Sequence, residues 1–196
     1  MDRGDQSYDV FMFVKRLKEE MGDKCHYILG NHDMMIRDKD ISTWGYNGAQ
    51  ATIDSFNEHD DYPLKYSDWI AADTELYYKI DDITICHGGI PKYNLFSCKV
   101  EDQREEDIVW DRTMVEYPWY DGPLFIVGHT PLVQDPLYMN GQDYTNLSYD
   151  KEYSLKDYSI GVIDIDTACV YGNALTAMVI DEDKFCLYKQ KAMFVT

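Results

Sequence analysis

Three short apolar runs, residues 25–29, 83–86 and 124–127, each stop at a turn that joins glycine to an amide or imidazole side chain. The turns are Gly30-Asn31-His32-Asp33, His87-Gly88-Gly89 and Gly128-His129-Thr130. A run of four or five apolar residues cut off by glycine reads as a buried strand, and glycine lets the chain turn sharply where the strand ends. Repetition of the pattern points to a mixed α/β fold whose strands deliver polar side chains to a shared edge.

The first run follows a helical pattern. Val10, Val14, Leu17 and Met21 recur at steps of three and four, with Ser7 as a cap and Gly22 as a stop. A helix followed by a buried strand is most of a β-α-β unit with a parallel strand. Asp2-Arg3-Gly4 then falls in the loop before the helix and faces the same edge. Residues 42–57, around Asn47-Gly48, predict a helix with an irregular start, whose role spacing alone does not reveal. Residues 75–80 and 83–86 predict a hairpin around Asp81-Asp82. Residues 159–165, 174–180 and 184–188 predict a strand-rich meander, and residues 138–157, rich in Asn, Asp, Gly and Tyr, predict a long surface loop. The acidic run 101–107 reads as a solvated helix face.

Length and composition narrow the class. A chain of 196 residues, 45% hydrophobic and 28% charged, fits one globular domain spanning 1–196. No apolar stretch approaches the roughly 18 to 20 residues that span a bilayer, and residues 1–5 carry no signal-peptide pattern, so a cytoplasmic location is expected. The five cysteines, Cys25, Cys86, Cys98, Cys169 and Cys186, are scattered and read as reduced thiols. A formal net charge of −18 argues against nucleic acid or an anionic membrane as partner, since both are bound through clustered Lys and Arg.

Asn31, His87 and His129 supply an amide oxygen and two imidazoles, a plausible half-shell for Mn²⁺, Fe or Zn²⁺. Such a shell leaves positions open for water and substrate, and two ions about 3.5 to 4 Å apart suit phosphoryl chemistry. Asp2 offers a carboxylate and Arg3 a planar phosphate clamp. Taken singly, each histidine is an ordinary loop residue, Asp33 is an acceptor supporting the site residues from behind or simply an exposed acid, and His26 and His59 are bystanders.

Taken in order, Asp2-Arg3-Gly4, Gly30-Asn31-His32-Asp33, His87-Gly88-Gly89 and Gly128-His129-Thr130 resemble the calcineurin-like metallophosphoesterases, especially the serine/threonine protein phosphatase branch with short bacterial and phage members. The tail from Ile165 through Asp166-Thr167 to Thr176 looks like those short members as well. The resemblance implies an α/β sandwich of two mixed sheets flanked by helices. It implies Asn31, His87 and His129 as metal ligands, His32 as the general acid and Asp2 as its partner. Arg3 and Arg112, with Asn31, would bind the substrate phosphate. The family's first strand, its Asp-x-His and a Gly-Asp would precede Met1, so the resemblance implies two divalent ions for the extended protein and one half-site within this chain. The implied activity is phosphomonoester hydrolysis, on a phosphorylated protein or a small phosphate ester. Dinucleoside polyphosphate hydrolysis is the alternative, and a non-catalytic phosphate-binding module is the alternative of another class.

Overall fold

A computed structural model of the chain describes residues 2–93, 99–117 and 119–193; Met1 and Cys98 lie outside them. It divides into two compact units, Met1–Glu75 and Leu76–Thr196.

The first unit is helical. Its elements are α1 (Ser7–Met21), β1 (Tyr27–Ile28), α2 (Asn31–Arg37), α3 (Ile41–Tyr46), α4 (Gln50–Asn57), α5 (Ser67–Asp73) and β2 (Thr74–Glu75). The core is aromatic: the Phe11 ring lies 4.7 Å from Tyr66, 5.3 Å from Trp69 and 6.0 Å from Phe56 between centroids. This cluster rotates α1 away from the expected stripe. Phe11 is 4% exposed while Val10 is 46% exposed, because the larger ring gains more by burial. Ser7 is not the cap either. Gln6 takes that position, and the Ser7 hydroxyl donates to the Gly4 carbonyl at 2.6 Å. The strand expected at residues 25–29 forms as the shorter β1, paired in parallel with β2. Residues 42–57 form two helices, not one, because the chain breaks at Gly48, whose φ of +93° no right-handed helix accommodates.

The second unit holds β3 (Tyr77–Ile80), β4 (Ile83–Cys86), α6 (Glu105–Trp110), α7 (Thr113–Glu116), β5 (Phe125–Val127), β6 (Leu137–Asn140), β7 (Asp143–Asn146), β8 (Glu152–Ser154), β9 (Val162–Asp164), β10 (Ala174–Asp181) and β11 (Lys184–Lys191). Six strands form a mixed sheet in the order β3-β4-β5-β9-β6-β7, with β4, β5 and β9 parallel. Strands β10, β11 and β8 form a second, antiparallel sheet. Alternate residues of the β5 segment serve two cores. Phe125 and Val127 pack with Ile108, Met114 and Val115 of the helices, while Leu124 and Ile126 pack with Tyr153, Phe185 and Leu187 of the second sheet. The result is an α/β sandwich built on a mixed sheet flanked by helices.

Residues 138–157 are not a long loop. They complete the β6–β7 hairpin, which turns at Gly141 (φ +56°), and then form β8. Four cysteines of the described residues are free thiols; Cys86 is buried, and Cys25 and Cys186 are only half-buried. No helix among the described residues is long and apolar enough to cross a membrane.

Candidate active site

In the first unit the structure brings Asp2 and His32 together. The Asp2 side chain is 2% exposed, and its Oδ2 lies 2.5 Å from His32 Nδ1. The carboxylate gathers two further donors: Trp44 Nε1–H reaches Oδ2 at 2.9 Å, and the Thr52 hydroxyl donates to Oδ1. Burial alone would raise the Asp2 carboxyl, but hydrogen bonds from His32, Thr52 and Trp44, together with the charge of His32, hold it below the usual carboxylate range. An ionised carboxylate only accepts hydrogen bonds, so the proton of this contact sits on His32 Nδ1.

Arg3 follows with a left-handed backbone, φ 69°, a conformation that costs a non-glycine residue about 1 to 3 kcal/mol. Its surroundings hold it there. The Arg3 N–H donates to Thr52 Oγ1 at 2.9 Å, and its side chain lies so close to Gly48 that an added Cβ would stand 3.2 Å from Arg3 Cδ. Asn31 opens α2 and is buried. Asp33, two residues on, is buried as well. Its Oδ2 accepts the Gly30 N–H at 3.1 Å and its Oδ1 accepts the Tyr27 hydroxyl at 2.8 Å, which fixes the turn that carries Asn31 and His32.

In the second unit His87 and His129 follow β4 and β5, neighbouring parallel strands, and the loops are joined by Gly128 N–H donating to the His87 carbonyl at 2.9 Å. The two imidazoles stand side by side, centroids 4.9 Å apart with planes at 57°. Trp110 meets His129 edge-on at 6.0 Å. Arg112, which leads into α7, donates from Nη1 to the His129 carbonyl at 2.8 Å, so guanidinium and imidazole pair are tied together. His129 itself has φ 66°, the second candidate residue in a left-handed backbone. On the neighbouring strand, β9 ends in Asp164, paired with Val127 of β5 and fully buried. Its Oδ1 accepts the Asp166 N–H at 2.8 Å, and its Oδ2 has no hydrogen-bond partner among the described residues. Burial drives the Asp164 carboxyl well above its ordinary range, against the pull of the Asp166 amide and of Arg112.

The sequence profile of the calcineurin-like phosphoesterases matches residues 1–173. The chain belongs to this family. Its members are metal-dependent and typically dinuclear. The chain is 26% identical over 216 residues to a bis(5'-nucleosyl)-tetraphosphatase PrpE [asymmetrical] of Oceanobacillus iheyensis, a match covering 99% of this chain and 76% of the relative. It is also similar to a crystallised metallophosphoesterase from Sphaerobacter thermophilus, with a TM-score of 0.49 and 16% identity, covering 85% of this chain and 66%, just under two thirds, of that one.

The donors present fit a metal in part. Adjacent imidazoles at the ends of parallel strands suit a divalent transition ion in an open site. Among the described residues, however, no three His, Cys, Asp or Glu side chains gather closely enough to hold an ion. Trp44, Thr52, Asp33 and Asp164 are the site-adjacent residues that spacing did not reveal. Asp33 alone left a signal: an acid three residues after a strand-ending Gly can reach back to that glycine's N–H.

Proposed function

We propose that the chain hydrolyses a phosphate monoester, with phosphoserine or phosphothreonine on a protein as its substrate. The observation that carries this reading is the buried Asp2–His32 contact, in which a carboxylate fixed by three donors orients one imidazole. Nδ1 is committed to Asp2, so Nε2 presents the proton to the leaving oxygen. Arg3 and Arg112 supply the guanidinium forks that match phosphate oxygens, and the Asn31 amide adds a further contact. His87 and His129, with Asn31, would hold a divalent ion, Mn²⁺ in our reading with Fe or Zn²⁺ as alternatives. The chemistry supplied at such a site would be activation of a water molecule and neutralisation of charge on the phosphoryl oxygens. We expect a cytoplasmic setting, in keeping with the scattered cysteines of the sequence.

The test is His32→Asn. A phosphoserine peptide, whose alkoxide leaves poorly without a proton, is expected to lose roughly 10² to 10⁴ in turnover, while an activated aryl phosphate loses far less. Equal losses on both substrates remove the general-acid assignment, and loss of bound Mn²⁺ makes His32 a ligand instead.

The similarity to the PrpE tetraphosphatase favours a second reading, dinucleoside polyphosphate hydrolysis. Supplying a phosphopeptide and a dinucleoside tetraphosphate side by side separates the two. Inorganic phosphate from the peptide supports the first reading, and unequal nucleotides from the dinucleotide support the second. Binding of both without turnover supports a non-catalytic module.

A further inference from the structure

Two residues from the segment whose role the sequence left unread converge on the Asp-Arg turn. Thr52 is 1% exposed and Trp44 is 2% exposed. Thr52 touches both members of the turn: its hydroxyl donates to Asp2 Oδ1, and its oxygen accepts the Arg3 N–H at 2.9 Å. Trp44 touches Asp2 alone, donating to the same Oδ2 that faces His32. A carboxylate held on one oxygen by Thr52 and on the other by Trp44 cannot turn without losing both donors. Water is a poor substitute at a side chain only 2% exposed. Between them, Gly48 packs against the Arg3 stem. The α3–α4 segment thus contacts the backbone of Arg3, its side chain and the carboxylate of Asp2.

We propose that Thr52 and Trp44 are positioning residues: Trp44 aims the Asp2 carboxylate at His32, and Thr52 locks that carboxylate and the Arg3 phosphate clamp into one unit. The inference rests on His32 as proton donor and Arg3 as clamp, and it assigns the two helices a part in catalysis without direct contact with substrate. Removal of Trp44's donor should loosen only proton delivery. Removal of Thr52's hydroxyl should loosen proton delivery and phosphate binding together, because it also releases the left-handed backbone of Arg3.

The chain itself can be tested by NMR of its histidine side chains, with His32→Gln identifying the His32 ring signals. Wild type should show a His32 Nδ1–H that exchanges slowly with solvent. Thr52→Ser, which keeps the hydroxyl, should preserve it, whereas Thr52→Val and Trp44→Phe should speed its exchange at least about tenfold. The His59 ring, stacked on Tyr8 at 3.9 Å in the same unit, reports whether the helices still pack and should not change. In kinetics on a phosphoserine peptide, Trp44→Phe should lower kcat about tenfold to a hundredfold with KM unchanged, and Thr52→Val should also raise KM. An unchanged His32 exchange rate in both Thr52→Val and Trp44→Phe overturns the proposal. So does a Thr52→Ser variant as disturbed at His32 and His59 as Thr52→Val, which would make Thr52 a packing residue only. The general-acid reading stands or falls separately, on the leaving-group dependence of His32→Asn.

Discussion

Asp33 shows how much one buried carboxylate controls. Its two oxygens take the Tyr27 hydroxyl and the Gly30 N–H, so it ties β1 to the first turn of α2. Burial, then the neighbouring Asp33 charge, push the Tyr27 hydroxyl well above its ordinary pKa, so it remains a donor at any physiological pH. Removing the carboxylate leaves two donors without that acceptor, each costing about 1 to 3 kcal/mol, whereas Tyr27→Phe removes a single hydrogen bond worth about 1 kcal/mol. Asp33→Ala is therefore expected to be the more damaging, with the double variant less destabilised than the sum of the two. Urea unfolding of the three variants measures this, and strictly additive losses would show that the pair does not act as a unit. The same scale explains what could be read in advance. Asp2, Arg3, Asn31, His32, His87 and His129 sit in short motifs whose residue types and glycines declare themselves. Trp44 and Thr52 meet Asp2 across 42 and 50 positions of chain, a proximity set by packing of the helices and not by any local spacing.

Elements meet in the second unit where glycine permits backbone contact. Gly88 donates to the Ile108 carbonyl at 2.8 Å, and a Cβ added there would stand 2.7 Å from the Asp111 carbonyl oxygen and 2.8 Å from that of Ile108. Both obstacles are backbone, so the His87 turn or the α6–α7 connection carrying Arg112 would have to move. Gly88→Ala is expected to cost about 1 to 3 kcal/mol by overpacking. Gly45, inside α3, gives the opposite sign: nothing lies within 4 Å of its added Cβ, so Gly45→Ala should stabilise by roughly 0.5 to 1 kcal/mol through helix propensity. Thermal unfolding of both variants is the measurement, and a Gly88→Ala midpoint at or above wild type would sink the close-approach argument. At this scale the apolar strands β4, β5 and β9 were legible because β5 and β9 are buried throughout, β4 buries alternate residues, and each runs to a glycine or a turn. The β6–β7 hairpin was not. All four residues of β7 are exposed, and Asp143-Tyr144-Thr145-Asn146 carries no apolar alternation, so only its backbone pairing to β6 makes it a strand.

For the whole molecule, the balance of 36 acidic against 18 basic side chains makes stability a question of pH, and two buried carboxylates pull it in opposite directions. Asp2 is held below its ordinary pKa in the folded state, so its contribution is fully present above the unfolded value near 4 and is lost as pH falls through the lower folded value. Asp164 has its folded pKa well above the ordinary range, so from about pH 4 upward the unfolded chain gives up a proton that the fold retains. Its effect therefore lowers stability as pH rises, by at most roughly 1.4 kcal/mol per pH unit, until the folded pKa is passed. General repulsion among the excess acids grows in the same direction as they ionise. Maximum stability is thus expected on the acidic side of neutrality. Asp164→Asn isolates the buried group, because the amide keeps an oxygen for the Asp166 N–H at Oδ1 and remains uncharged throughout. The variant carries a new buried donor and need not be more stable at pH 5. Its disadvantage should shrink, or reverse, as the pH of a urea titration is raised from 5 to 9. Parallel curves for variant and wild type across that range would show that Asp164 does not retain its proton in the fold.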